Sequence, residues 1–127
     1  MVRAADLALL YQAFLHDPKD MWDPAVLADA TATIRNTLPD LWGVPANRTR
    51  GGLMVRGDDD MGHRRGFGRT ASARTFGHNG AGGQLAFADP DSGLSVAYVT
   101  SGLDQHLIRQ IRRDTAIASL AANVLKD

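Results

Sequence analysis

The stretch that decides the fold is residues 75–100, TFGHNGAGGQLAFADPDSGLSVAYVT. Leu85 and Phe87 alternate with alanines, and the segment 94–100 alternates in the same way after a Pro-Asp-Ser-Gly turn at 90–93. Two period-two segments separated by such a turn predict an antiparallel hairpin, with strands at about 84–89 and 94–100. Both faces of the hairpin carry apolar or small residues, so we expect helices to cover the sheet on both sides.

Two further strands are predicted upstream of the hairpin, at about 51–57 and 74–79. The first alternates in hydropathy and stops at Gly57 and three aspartates, which are turn-forming residues. The second leads into a run of glycines. The sequence therefore predicts an antiparallel sheet of three to four strands.

Helices are predicted on both flanks of the sheet. The first covers about 4–16, where apolar residues recur at i, i+3, i+4 and i+7. The second begins at Asp23-Pro24, a cap followed by a proline suited to the first helical position, and its apolar face extends to Ile34. The last covers about 105–125, with Asp104 as its cap.

These elements predict an α+β fold in a single domain, residues 1–127. Residues 1–45 are expected to form a helical region that holds the two N-terminal helices. Residues 46–127 are expected to form a strand-rich region with the C-terminal helix packed on one face of the sheet.

Composition excludes several classes of protein. The chain has no cysteine, which rules out a disulfide scaffold, a thiol nucleophile and a Cys-ligated metal. Fourteen basic residues balance fourteen acidic ones, which argues against nucleic acid or an acidic membrane as partner. With no signal-like start and no apolar run of about 18 residues, we expect a cytoplasmic protein that does not associate with membranes.

Several weaker motifs favour structural interpretations. The four histidines have no ligand-pair spacing, and no metal or cofactor is expected. The acidic run 58–60 is interpreted as a solvated turn rather than a cation site. Residues 66–71 match G-x-G-x-x-A without the strand and helix that a dinucleotide site needs. An arginine-rich loop is more simply a paired or solvated loop, with phosphate or nucleotide binding as the alternative. Its arginines are Arg48, Arg50, Arg56, Arg64, Arg65, Arg69 and Arg74.

The segment 75–84 combines a histidine with glycines. Glycines allow a ligand to approach the backbone, so N–H groups of a strand edge can serve as donors. His78 could supply a donor or a proton-transfer group near neutral pH. The alternative is a glycine-kinked strand with a partly exposed histidine, and spacing alone does not decide between the two.

The stretch 76–100 resembles the end of the serine β-lactamase and penicillin-binding-protein-like hydrolases, in particular the class C-like esterase branch. In that family a strand carries a third active-site box, Lys-Thr-Gly in many members and His-x-Gly in the esterase-like ones. His78-Asn79-Gly80 matches the box. The hairpin and C-terminal helix that follow match the family's order of elements.

The resemblance extends weakly upstream. Residues 5–8, ADLA, are similar to the start of a family helix, and residues 51–57 are similar to the strand that precedes the box strand. The resemblance thus implies a partial β-lactamase-like fold over nearly the whole chain.

The family's other two boxes are absent from the chain. The nucleophile of the family lies in Ser-x-x-Lys, and a Tyr-x-Asn or Ser-Asp-Asn box follows it. None of the five serines has a lysine three residues later, and neither tyrosine has an asparagine two residues later. The chain is therefore expected to be the last third of such an enzyme, a fragment that opens at a methionine inside the helical region.

The resemblance also implies roles for individual residues. His78 would line the site opposite the nucleophile and orient the substrate or assist proton transfer, and Asn79 and Gly80 would face the substrate. The N–H of Ala81 would be one of two donors to the oxyanion. The whole hydrolase would cleave a small ester or amide through an acyl-enzyme.

The chain alone is expected to be inactive. The alternative is a non-catalytic binding or structural module that completes a partner chain or self-associates through an open strand edge.

Overall fold

The computed structural model describes residues 2–125 and has an α+β architecture, as predicted. Helices α1 and α2 precede six strands, and helix α3 follows them. In chain order the elements are α1 (Ala4–His16), α2 (Pro24–Thr31), β1 (Ile34–Asn36), β2 (Arg48–Thr49), β3 (Met54–Val55), β4 (Phe76–Asn79), β5 (Leu85–Asp89), β6 (Leu94–Tyr98) and α3 (Leu107–Ala121).

The six strands form one antiparallel sheet in which spatial order follows chain order. The predicted hairpin is confirmed as β5 and β6, which pair from Leu85 opposite Tyr98 to Asp89 opposite Leu94. The predicted count of three to four strands is too low. The additional strands β1 and β2 are only three and two residues long, too short for alternation to identify them.

The predicted extension of the second helix to Ile34 is wrong. Helix α2 ends at Thr31, and Ile34 lies in β1 opposite Thr49 of β2. The Thr49 hydroxyl donates a hydrogen bond of 2.6 Å to the carbonyl of Ala30, which ties the end of α2 to the sheet. Pairing with β2 therefore overrides the helical periodicity of this segment.

One face of the sheet is covered by α1. Its Tyr11 packs against Phe76 with ring centroids 6.2 Å apart, and the Ser95 hydroxyl donates to the carbonyl of Ala8. Buried Val55, Ala86 and Ala88 complete this core. Helix α1 thus packs directly on the sheet.

The opposite face is covered by α3 and by the loop between β3 and β4. Ala118 of α3 packs with Met54, Leu85 and Phe87 from the sheet. Phe67 of the loop, 1% exposed, meets Phe87 edge to face at 6.2 Å. The expectation that helices cover both sides of the sheet is confirmed.

Helix α3 is shorter than predicted and has a different cap. It begins after His106, whose Nδ1 accepts a hydrogen bond from the N–H of Arg109. Asp104, the expected cap, instead accepts from the N–H of His106 and from the Arg109 guanidinium. No helix within residues 2–125 is long and apolar enough to cross a bilayer.

Candidate active-site strand and loop

Strand β4 presents the predicted box at its C-terminal end. Along one side β4 pairs with β5 over its whole length. On the other side β3 pairs only with Phe76 and Gly77. Within the described part of the chain, His78 and Asn79 have no strand partner on the β3 side. The edge of the sheet is therefore open next to these two residues and Gly80.

His78 is exposed and makes two polar contacts. Its Nδ1 lies 2.5 Å from the carbonyl oxygen of Asn79, and its Nε2 lies 3.1 Å from Nη1 of Arg48. The same Nη1 donates a hydrogen bond of 3.0 Å to the carbonyl of Gly52. A guanidinium group therefore stands beside the box histidine.

Asn79 borders a cavity of about 470 Å³. The walls of this cavity combine apolar side chains, such as Trp42 and Ile111, with the polar side chains of Arg48 and Asp114. Asp114 of α3 has a side chain only 4% exposed, and burial raises the pKa of its carboxyl group. The cavity places a mixed apolar and polar surface next to the box.

Residues 80–84 form a tight loop after β4, which we call the box loop. The N–H of Gly80 donates to the carbonyl of Gln84 at 2.7 Å, which closes the loop at its base. Ala81 is exposed, and its N–H has no hydrogen-bond acceptor within residues 2–125. The donor that the resemblance assigns to the oxyanion is thus unoccupied and accessible.

Helix α3 and the segment before it support the box loop from one side. Gln110 donates from Nε2 to the carbonyl of Gly80 at 3.4 Å, and Asp104 donates its N–H to the carbonyl of Gly82 at 3.1 Å. Gly83 has φ of +102°, and a Cβ at this position would lie 1.7 Å from Nη2 of Arg113. The positive φ therefore requires glycine at this point of the loop, beside the Arg113 guanidinium.

Asp104, which supports the box loop, also forms ion pairs with two arginines of α3. Its carboxylate accepts from Arg109 at 2.8 Å and from Arg113 at 3.1 Å. The hydrogen bond from Arg109, with that from the His106 N–H, holds the pKa of Asp104 well below its ordinary value. Arg109 and Arg113 of α3 thus help to fix the segment that supports the box loop.

The other sequence motifs form a loop or ion pairs. Residues 66–71 are a loop without a following helix, and Asp59 of the acidic run pairs with Arg65. Arg50 pairs with Asp29, and Arg74 with Asp91. Within residues 2–125 no group of three or more His, Asp or Glu side chains is arranged to hold a metal ion.

Sequence reasoning missed Arg48, Gln110 and Arg113 as neighbours of the box. Arg48 is thirty positions before His78, and only the order of β2, β3 and β4 brings the two together. Gln110 and Arg113 are three residues apart on a helix, a spacing that places them on one side. Nothing in the sequence indicated that this side faces the box loop.

Comparison with solved structures identifies the fold. A β-lactamase from Mycobacterium bovis matches with a TM-score of 0.71 and 24% identity, over 91% of this chain. A penicillin-binding protein homolog from Caulobacter crescentus matches with a TM-score of 0.66 and 30% identity, over 93% of this chain. The chain has a β-lactamase-like fold.

This β-lactamase-like chain is much shorter than those two proteins. It spans 42% of the M. bovis β-lactamase chain and 32% of the C. crescentus chain. No protein-family model matches the sequence, and no curated protein matches it.

Proposed function

We propose that the chain is the C-terminal segment of a β-lactamase-like serine hydrolase of the class C-like esterase branch. The observation that carries the proposal is the free N–H of Ala81, which follows the box residues at the open edge of β4. Similarity to the folds of a β-lactamase and a penicillin-binding protein homolog supports it. In the whole enzyme a serine would attack an ester or amide carbonyl, and water would release the acyl group.

The Ala81 N–H would stabilise the oxyanion of that reaction. One such donor contributes about 3 kcal/mol of transition-state stabilisation. Asn79 and Gly80 would contact the substrate, and the adjacent cavity of about 470 Å³ has room for its side group.

The nucleophile is proposed to lie outside these 127 residues. The hydroxyl of Ser72 donates to Asp89, that of Ser95 to Ala8, and that of Ser119 to Thr115. None of these acceptors belongs to the box or the box loop, so these hydroxyls are engaged elsewhere. Residues 1–127 alone should therefore be inactive.

An assay of the purified chain on p-nitrophenyl butyrate and nitrocefin tests this inactivity. We expect no hydrolysis above the rate in buffer. Turnover that a serine-directed inhibitor blocks would show that the chain contains a working nucleophile and would refute the proposal as stated.

Complementation tests the catalytic part of the proposal. The chain would be co-expressed with the M. bovis β-lactamase from which the matched segment has been removed, and ester hydrolysis would be measured. We expect activity with the natural chain and with Ala81→Ser, which keeps the N–H. Ala81→Pro removes the N–H and should lower the rate by about 100-fold or more. Equal rates for the two variants would contradict the oxyanion role.

The alternative function is a non-catalytic module that associates with a partner or with itself. Large apolar side chains favour it: Leu41 is 98% exposed, Leu38 72%, and Trp42 and Ile108 65% each. Leu38, Leu41 and Trp42 lie close together in the chain, and exposed apolar patches mark interaction sites. Sedimentation analysis should reveal self-association, and a monodisperse monomer with a cooperative melt at high temperature would argue against it.

A further inference from the structure

The contact between Arg48 and His78 determines the protonation pattern of the box histidine. We propose that Arg48 is a positioning residue that selects one tautomer of the neutral His78 imidazole, with the hydrogen on Nδ1 and a lone pair on Nε2. The two contacts of the ring lead to this assignment independently.

The first contact is on Nδ1. This nitrogen lies 2.5 Å from the carbonyl oxygen of Asn79. A carbonyl oxygen only accepts hydrogen bonds, so Nδ1 must carry the hydrogen. In a neutral imidazole the other nitrogen then has a lone pair.

The second contact is on Nε2. This nitrogen lies 3.1 Å from Nη1 of Arg48, and a guanidinium group has donors but no acceptor. Nε2 must therefore accept, which requires the same tautomer as the first contact.

Contacts other than that with His78 hold Arg48 in place. It lies in β2, pairs with Met54 of β3, and donates from Nη1 to the carbonyl of Gly52. Its side chain is half-buried, unlike that of Arg50, which is 76% exposed and pairs with Asp29. The guanidinium is thus preorganised at the end of β4.

The consequence for catalysis rests on the proposed function. The resemblance left two roles for His78, orientation of the substrate and proton transfer. The lone pair on Nε2 already accepts a hydrogen bond from Arg48, which favours orientation of the substrate over proton transfer. The positive charge at this end of β4 then belongs to Arg48, and His78 accepts a hydrogen bond from it.

The tautomer can be measured on residues 1–127 without any catalytic activity. We would record long-range ¹H–¹⁵N correlation spectra of histidine-labelled protein at a pH of about 8.5, two units above an ordinary histidine pKa. The His78 signals are assigned by their loss in His78→Gln. We expect a protonated Nδ1 and an unprotonated Nε2.

Variants of Arg48 separate its effect from that of the Asn79 carbonyl. Arg48→Met keeps the aliphatic stem without donors, and should lower the ratio of the Nδ1–H form to the Nε2–H form by about tenfold, the size of one charge-assisted hydrogen bond. Arg48→Lys keeps a donor and should restore most of the ratio. Arg50→Met is the matched control and should change nothing.

Either of two results would overturn the inference. One is a predominant Nε2–H form in the natural chain, and the other is an unchanged ratio in Arg48→Met with an otherwise native amide spectrum. If Arg48→Met loses its native amide spectrum, Arg48→Lys is used instead. A predominant Nε2–H form in Arg48→Lys, which keeps a donor, would then contradict the role of Arg48. An inactive complementation mixture with the expected tautomer would reject the proposed function and leave the tautomer standing.

Discussion

Arg65 is a buried cation in the loop between β3 and β4. Its side chain is 2% exposed, and it donates to both carboxylate oxygens of Asp59, at 2.8 and 2.5 Å. It also donates to the carbonyls of Pro45 and Arg56. One guanidinium thus fastens the loop to the segment before β2 and to the end of β3, and removal of its counterion would leave a buried charge unpaired.

The stability of the chain should therefore depend on the ionisation of Asp59. The hydrogen bond from Arg65 lowers the pKa of Asp59 from 3.8 to about 2. A lowered carboxyl pKa contributes stability above pH 3.8, and this contribution is lost as the pH falls towards 2. Asp59→Asn should flatten this part of the curve of unfolding free energy against pH, measured by urea denaturation.

The matched control for Asp59→Asn is Asp91→Asn. Asp91 pairs with Arg74, and the two side chains are 49% and 71% exposed. Exposed pairs contribute about 0–1 kcal/mol, so this variant should retain the acid dependence of the natural chain. An equal loss of acid dependence in both variants would contradict the assignment to Asp59.

Gly83 offers a second prediction at this scale. Its φ of +102° disfavours any side chain, and a Cβ would collide with Arg113. Gly83→Ala should lower the free energy of unfolding by about 1–3 kcal/mol in urea denaturation. Gly102→Ala is the control, because nothing lies within 4 Å of a Cβ there. It should change stability by less than about 0.5 kcal/mol, and equal effects at the two positions would argue against the positive φ at Gly83.

Among the elements, the β3–β4 loop has an unexpected role as part of the core. Phe67 is 1% exposed and fills the space between Phe87 of the sheet and Ala118 of α3. The sequence showed an arginine- and glycine-rich segment there and suggested only a surface loop or a phosphate site. One buried aromatic ring makes this loop structural.

Truncation of the Phe67 side chain should accordingly destabilise the fold. Phe67→Ala should lower the free energy of unfolding by about 3–5 kcal/mol, and Phe67→Leu by less. Leu120→Ala on α3 is the control, because that side chain is 72% exposed. If Phe67→Ala and Leu120→Ala lowered the free energy of unfolding by the same amount in thermal and urea denaturation, the loop would not belong to the core.

Sequence patterns predict the elements that are determined by residues close together in the chain. The hairpin of β5 and β6 was recognisable because five-residue strands show a full alternation and residues 90–93 form its turn. Strands β1 and β2 are defined by their pairing and are too short to show alternation in the sequence. The helical spacing of the preceding residues therefore predicts a helix at Ile34. His78, Asn79, Gly80 and Ala81 are contiguous in sequence, whereas Arg48 reaches them through the register of the sheet.

At the scale of the whole molecule, exposed apolar side chains include Leu38, Leu41 and Trp42 in the loop after β1 and Ile108 near the start of α3. Leu41→Ser with Trp42→Ser should therefore weaken self-association without lowering the free energy of unfolding, because both side chains are exposed. Sedimentation velocity over a range of concentrations measures this. Leu120→Ser is the control, and a similar weakening there would indicate non-specific adhesion rather than one surface.

The strand order of the sheet has a consequence for how the chain folds. Every strand pairs with its neighbours in sequence, so most pairings close short loops at low entropic cost. The exception is β3 with β4, which are separated by residues 56–75. We expect the β4–β6 meander to form first as a nucleus and the docking of β3, together with Arg48 and the Phe67 loop, to limit the folding rate. The histidine would then be in place before the arginine that fixes its tautomer arrives.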